Sequence, residues 1–303
     1  MSLGAWRIEA RDFVELFAAP VLIALLPAGI GWWVARRLCA RDWLYRHETE
    51  SAWVAATSAM PARDATTWRL RHRLTRLYDH ADLYLWLWRR RAWFAKRVVV
   101  EGAWPAEGPF MAVTYHWGRG LWGLHSLRLA TGGFAGVAAS PQRHDYDGRW
   151  VLYRHVVLRT RATAEIIGGG LSFTGSAAGH LLRALKAGKA TCGLYDVPAH
   201  AGEKTLPGTL LDRRVAMPRG FPYISAHNKV PLVTFACTLD FDSGLTRLVI
   251  DPPRSFDDPE EANRYLLGRL DALIDQEPAI WHHWGALPQF AAAINFSSAN
   301  RDG

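Results

Sequence analysis

Hydrophobic and polar positions divide this chain into two regimes. From Leu16 to Ala35 runs an uncharged stretch of 20 residues, long enough to cross a bilayer as one helix. Pro20, Pro27, Gly29 and Gly31 interrupt it, so a re-entrant or interfacial anchor fits the pattern as well as a span. Glu9, Asp12 and Glu15 dilute the basic start, and no small-x-small site precedes the next arginines, which argues against a cleaved signal peptide. Between residues 42 and 95 apolar positions recur at helical spacing, predicting about two helices with a break at Met60-Pro61 and a restart capped by Asp64.

Beyond Arg97 the pattern changes to short apolar runs bounded by Gly and Pro. Strands are predicted over residues 97–101, 110–115, 134–139, 164–167, 190–195, 230–237 and 245–250, and helices near 121–130, 148–159, 177–187 and 260–275. Alternation of this kind implies an α/β fold, a central, mostly parallel or mixed sheet covered by helices. No linker, repeat or low-complexity tract interrupts it. The chain therefore reads as an N-terminal membrane-anchoring helical segment at 1–40, a basic, Trp-rich helical segment at 41–96, and one α/β domain at 97–303.

Composition sharpens the N-terminal reading. The 303 residues carry a formal charge of +8 and 15 tryptophans, many of them in the first third, where an apolar ring with a polar edge suits either a membrane interface or an aromatic core. Arg36, Arg37, Arg41 and Arg46 follow the apolar run. Arg69, Arg71, Arg73, Arg76, Arg89, Arg90, Arg91, Lys96 and Arg97 are interleaved with Leu, Trp and Tyr. That arrangement predicts an anionic membrane surface as partner and, for a spanning segment, the bulk of the protein on the cytoplasmic side. No nucleic-acid reading module accompanies the charge, so nucleic acid is not expected. Cys39, Cys192 and Cys237 are too few and too scattered for a disulfide framework or a zinc site, and read as buried thiols.

The sharpest chemical signal is Phe110-Met-Ala-Val-Thr-Tyr-His116-Trp-Gly-Arg-Gly120, an apolar strand that delivers one histidine into a glycine-broken turn. Imidazole at the carboxyl end of a strand sits where α/β sheets bind ligands, and it can take a hydroxyl proton near neutral pH. Arg119 and the N–H groups of residues 117–120, leading into a helix, are candidates for an oxyanion. Trp117, Leu121, Trp122 and Leu124 are candidates for an apolar slot, or for core. Asp196 ends a second strand and can meet His116 across one crevice, with Asp145 and Asp147 in reserve. Gly168 to Ser176 has the glycine separation of a phosphate loop without its lysine. It reads as a strand-to-helix loop capped by Ser176 that is able to cradle a phosphate. No Asp, Glu or Cys lies at ligand spacing from His282-His283, so no metal is expected.

The order of these pieces resembles the lauroyl and myristoyl acyltransferases of lipid A biosynthesis, a branch of the lysophospholipid acyltransferase superfamily. The matching segments are Val98-Val-Val-Glu-Gly102, the strand with His116-Trp-Gly118, and Gln142-Arg-His-Asp-Tyr-Asp-Gly-Arg149. Leu181 to Gly188 with Leu194-Tyr-Asp196, Met217-Pro-Arg-Gly220 before Val230-Pro-Leu-Val233, and Glu277-Pro-Ala-Ile-Trp281 complete the series. The resemblance implies a glycerolipid acyltransferase-like fold in a membrane-associated transferase of lipid or envelope biosynthesis. Its expected place is a bacterial inner membrane, catalytic domain on the cytoplasmic face, with an acyl carrier protein thioester or acyl-CoA as donor and a lipid-like hydroxyl or amine as acceptor. It makes His116, Asp196 and Arg119 the catalytic candidates, and Trp117, Gly118, Trp122, Arg143 and Arg149 the substrate-binding ones. Two positions depart from the pattern. The acid expected five residues after the histidine is Leu121, and the C-terminal arginine cluster that accompanies a phosphorylated acceptor is replaced by Trp281-His-His-Trp284. Leu121 raises the alternative of a catalytically degenerate relative that binds acyl chains or scaffolds a complex.

Overall fold

A computed structural model describes residues 3–61, 64–138, 140–168, 170–173, 177–199 and 202–291. Seven strands form one sheet: β1 (Val98–Glu101), β2 (Met111–Thr114), β3 (Ala135–Ala138), β4 (Leu171–Phe173), β5 (Thr191–Leu194), β8 (Leu232–Leu239) and β9 (Thr246–Ile250), in the order β1-β9-β8-β2-β5-β3-β4. Every pairing is parallel except β8 with β9. The central strand β2 is buried along its whole length, which is why it reads as an unbroken apolar run. A two-stranded antiparallel hairpin, β6 (Thr205–Leu210) and β7 (Arg213–Pro218), stands apart from the sheet.

Helices α6 (Leu121–Thr131), α7 (Trp150–Ile167), α8 (Ala177–Lys186), α9 (Gly220–Asn228) and α10 (Pro259–Gln276) complete the α/β part. Residues 164–167, predicted as a strand, are instead the last turn of α7. Gly168, with φ 86°, ends that helix in the left-handed conformation, and β4 begins only after it. Ser176, predicted as a cap, lies outside the described residues.

The uncharged run is not one helix. After α1 (Leu3–Phe13), a π-helical turn at Val14–Ala18 leads into the seven-residue α2 (Ala19–Leu25), and α3 (Ala28–Cys39) follows a break. Leu26 precedes Pro27 and is extended, with ψ 151°, as the proline ring demands of the residue before it. Among the described residues no helix is long and apolar enough to cross a membrane. The run is divided among short helices instead. Arg89 closes the break, donating to the carbonyls of Ala24 at 3.1 Å and Leu26 at 2.8 Å.

Helix α4 (Arg46–Ala59) precedes the 33-residue α5 (Ala65–Arg97), which starts where expected, Asp64 accepting from the N–H groups of Thr66 and Thr67. Its first basic residues do not form a lipid-facing stripe. Arg69 bonds Glu50, Arg71 pairs with Glu277, Arg76 bonds Glu48, and Arg73 is buried against Asp42 and the Cys39 carbonyl. The carboxylates that turn them inward come from α4, the α3–α4 connection and the C-terminal segment. The tryptophans divide between core and surface. Trp68, Trp86, Trp93, Trp122, Trp281 and Trp284 are buried, whereas Trp6, Trp33, Trp43 and Trp88 are exposed. All three cysteines are free and buried.

Helix α5 grips the sheet through one ion pair. Arg119 and Asp82 have no exposed surface, and the guanidinium gives both its Nε and Nη2 hydrogens to the carboxylate while lying 4.7 Å from the Tyr78 ring centroid. Removing one partner strands a buried charge, so Arg119→Met is expected to lower the unfolding free energy by about 3–5 kcal/mol, and adding Asp82→Leu to recover most of it. Urea titration of the three proteins measures this; a single-variant loss below about 1 kcal/mol would show that the pair does not hold the turn to α5.

Candidate active site

Register places the site. Thr114 is paired with Leu194 across β2 and β5, and His116 and Asp196 each lie two residues beyond. Parallel neighbours run about 4.8 Å apart, so the two side chains emerge side by side. The ladder continues past the strands, Tyr195 N–H donating to the Thr114 carbonyl at 2.9 Å. His116 Nδ1 then lies 3.0 Å from Asp196 Oδ1, and the His116 backbone N–H donates to both carboxylate oxygens at 2.8 and 2.9 Å. A carboxylate can only accept, which assigns the imidazole proton to Nδ1 and leaves a lone pair on Nε2.

Asp196 is fully buried. Burial works to raise its pKa, but the His116 imidazole, His283 and the Trp281 N–H together hold it below the usual carboxylate value. The Trp281 indole donates to Oδ2 at 2.8 Å. His283 lies flat on His116, ring centroids 3.5 Å apart and planes 16° from parallel, with its Nδ1 2.8 Å from the Asp196 carbonyl. Burial, then the neighbouring His116, pushes His283 down to about 4, so the stack holds an uncharged ring. His282 is fastened behind it. Its N–H donates to the His116 carbonyl at 2.9 Å, Nε2 contacts the Gly118 carbonyl at 2.8 Å, and burial brings its pKa to about 4.

The turn after His116 needs its glycine. Gly118 has φ 53°, and a Cβ there would overlap the Cys237 carbonyl oxygen. The Arg119 N–H donates to that same carbonyl at 2.9 Å. Arg119 is consequently corrected as an oxyanion group, because its side chain points away into the core toward Asp82. The N–H groups of Gly120 and Leu121, opening α6 beside His116, remain available to that role.

A cavity of about 630 Å³ opens at His116. Leu121, Leu124, Phe134, Val137, Ile167 and Leu194 are among its apolar lining, and Arg76, Asp79, His80, His155 and Arg159 are among its polar lining. Trp117 and Gly118 are on the wall. Trp122 is not: it is buried behind α6, its ring centroid 6.4 Å from that of Phe94. Arg143 lies outside the cavity with its guanidinium over Trp150, and Arg149 is bound by Asp12 at 2.8 Å from both Nε and Nη2. Asp145 and Asp147 are exposed and do not line the cavity.

Trp281, His282 and His283 are the part of the site that sequence reading missed. Their clustering was visible, but the carboxylate they serve is Asp196, about 85 residues away. The fold thus supplies the acidic neighbour that His283 lacks in sequence. His116, Asp196 and His283 bring ligand atoms within 4.8 Å of one another, a grouping able in principle to hold a cation. Its geometry suits proton transfer better. Lone pairs lie in the ring planes, and two nearly parallel planes 3.5 Å apart do not converge on one ion. A scan against protein-family models finds no match to this chain, and a search of curated proteins finds none either.

The depressed Asp196 sets a pH dependence. Its contribution to stability is complete above the unfolded carboxylate value, about 3.9, and is lost as pH falls through the lower folded value. Urea midpoints measured from pH 6 to pH 3 are expected to decline less steeply at the acid end in Asp196→Asn than in wild type. Parallel profiles would mean that the dyad carboxylate is not held in its charged form.

Proposed function

We propose that the protein is a membrane-associated acyltransferase, moving an acyl chain from an acyl carrier protein thioester, or acyl-CoA, to a hydroxyl or amine acceptor. The observation that carries this reading is the His116–Asp196 dyad, whose His116 lines a cavity with both apolar and charged residues on its walls. In this reading Asp196 does from a strand end what the missing acid at position 121 does in the resembled enzymes, fixing the tautomer and stabilising the imidazolium. Leu121 then belongs to the cavity wall. A carboxylate at this place favours turnover over a role confined to acyl binding.

The chemistry follows from the geometry. His116 Nε2 accepts the proton as the acceptor oxygen attacks the thioester carbonyl, and the N–H groups of Gly120 and Leu121 face the developing oxyanion. As the tetrahedral intermediate collapses, the C–S bond breaks and the leaving thiolate takes the proton back from Nε2, giving an ester and a free thiol. Leu124, Phe134 and Ile167 offer the acyl chain an apolar bed.

The proposed place is the cytoplasmic face of an inner membrane, and association with a membrane surface is supported by the outer surface of the first three helices. Trp6, Phe13, Leu22, Leu25, Ile30 and Trp33 are exposed there. The Arg37 guanidinium lies 5.2 Å from the Trp33 ring, and Arg36 is exposed beside it. Apolar side chains rimmed by cations match the interface of an anionic bilayer.

Two experiments test these parts separately. In single-turnover transfer from labelled acyl carrier protein, His116→Ala is expected to lose at least about a thousandfold in rate and Asp196→Asn roughly a hundredfold or more, from the size of base and orienting-carboxylate effects. Wild-type rates in His116→Ala would remove the base from the mechanism. Sedimentation with anionic vesicles is expected to show at least about tenfold weaker binding for the double variant Leu25→Glu/Trp33→Glu, which places two charges in the interface. Unchanged partitioning would locate the membrane contact elsewhere.

A further inference from the structure

We propose that the acceptor handled in this cavity is an uncharged, hydroxyl-bearing amphiphile, its headgroup seated against the wall of Arg76, Asp79, His80, His155 and Arg159. The inference rests on the acyl-transfer reading and names its acceptor class. What decides it is charge balance. The charged residues lining the cavity are Arg76, Arg159, Glu48 and Asp79, two of each sign, and each cation is already engaged.

Arg159 Nη2 lies 2.7 Å from Asp79 Oδ1, and its Nη1 donates to the Asp79 carbonyl at 3.1 Å. Arg76 gives Nε and Nη2 to Glu48 Oε2 at 2.9 and 2.6 Å, and its Nη1 lies 3.3 Å from His282 Nδ1. His80 and His155 add no charge. His80 Nδ1 and His155 Nε2 are 3.3 Å apart in a buried contact where one donates and the other accepts. Burial, joined by the neighbouring guanidiniums, keeps both rings neutral, bringing His155 to about 3.

A phosphate entering here would shed its water against a wall of zero net charge. To gain a cation it would have to displace Glu48 or Asp79 from an arginine. A hydroxyl needs no such exchange. It can accept from Arg159 or donate to Asp79, and Thr160 and Thr163 on the same wall offer further partners. Selectivity arises because the site's cations are already neutralised.

The test is direct binding to the purified full chain without acyl donor, so that it does not depend on turnover. Isothermal titration at neutral pH compares hexyl β-glucoside, hexyl phosphate and hexylamine, which share a tail and differ in headgroup. The glucoside is expected to bind at least tenfold more tightly than either charged probe. Glu48→Gln, at a half-exposed carboxylate, and Asp79→Asn each free one guanidinium and are expected to shift the preference toward hexyl phosphate by fivefold or more. Wild-type protein that binds hexyl phosphate as tightly as the glucoside overturns the proposal. So does an unchanged preference in both variants, or no binding of any of the three probes at millimolar concentration. His116→Ala separates this from the reaction itself. Lost transfer with the preference intact leaves the acceptor class standing, whereas active wild-type transfer with phosphate preferred removes the acceptor class alone.

Discussion

One buried carboxylate organises this protein. Asp196 has no contact with solvent, so its charge survives only because every direction around it is occupied by a donor. The His116 backbone, the His116 ring and the Trp281 indole reach it from two segments far apart in sequence. Satisfying the carboxylate and orienting the imidazole are therefore the same act. The C-terminal segment is drawn over the strand ends because Asp196 needs it, and His283 arrives as a flat neutral cover on the His116 ring.

The same economy of charge recurs along α5. Asp82 takes Arg119, Asp79 takes Arg159, and Arg76 takes Glu48. Each pair joins this helix to a different element: the turn after β2, helix α7 and helix α4. The Asp82–Arg119 pair is fully buried and the other two are partly exposed; a buried ion pair is a weak source of net stability but exacting about partners, because a mispaired charge is costly. In this chain they set where α5 lies against the sheet, and with it the polar wall of the cavity.

Much of the architecture was legible in the sequence, for reasons that differ by element. Strands β2 and β8 are buried runs bounded by Gly and Pro, and the cap at Asp64 is a local hydrogen-bond pattern, so both leave plain marks. The hairpin of β6 and β7 left none. Its two turn residues, Leu211 and Asp212, both adopt positive φ at 52° and 57° without glycine or asparagine. A tertiary bond supports that strain, the Leu211 N–H donating to Asp271 at 2.8 Å. The site divides in the same way. His116 and Asp196 stand at strand ends and could be named. Arg119 looked like a cation beside the base because its partner, Asp82, lies on a helix 37 residues earlier. Trp281 and His283 could not be assigned roles because nothing local shows what they touch.

The placement of the dyad by strand register bears on how such a chain can vary. His116 and Asp196 meet because each stands two residues past the paired Thr114 and Leu194, not because of the path between them. Among the described residues that path holds α6, β3, a 3-10 turn at Arg143–Tyr146, α7, β4, α8 and β5, and its length does not enter the spacing of the two groups. Insertions and deletions between residues 140 and 148 leave that register unchanged, while a single-residue deletion inside β2 or β5 carries His116 or Asp196 to the opposite face of the sheet. Alignments that weigh overall length would misjudge relatedness among such proteins; the count of residues from the last ladder bond to each polar side chain is the quantity that inheritance has to preserve.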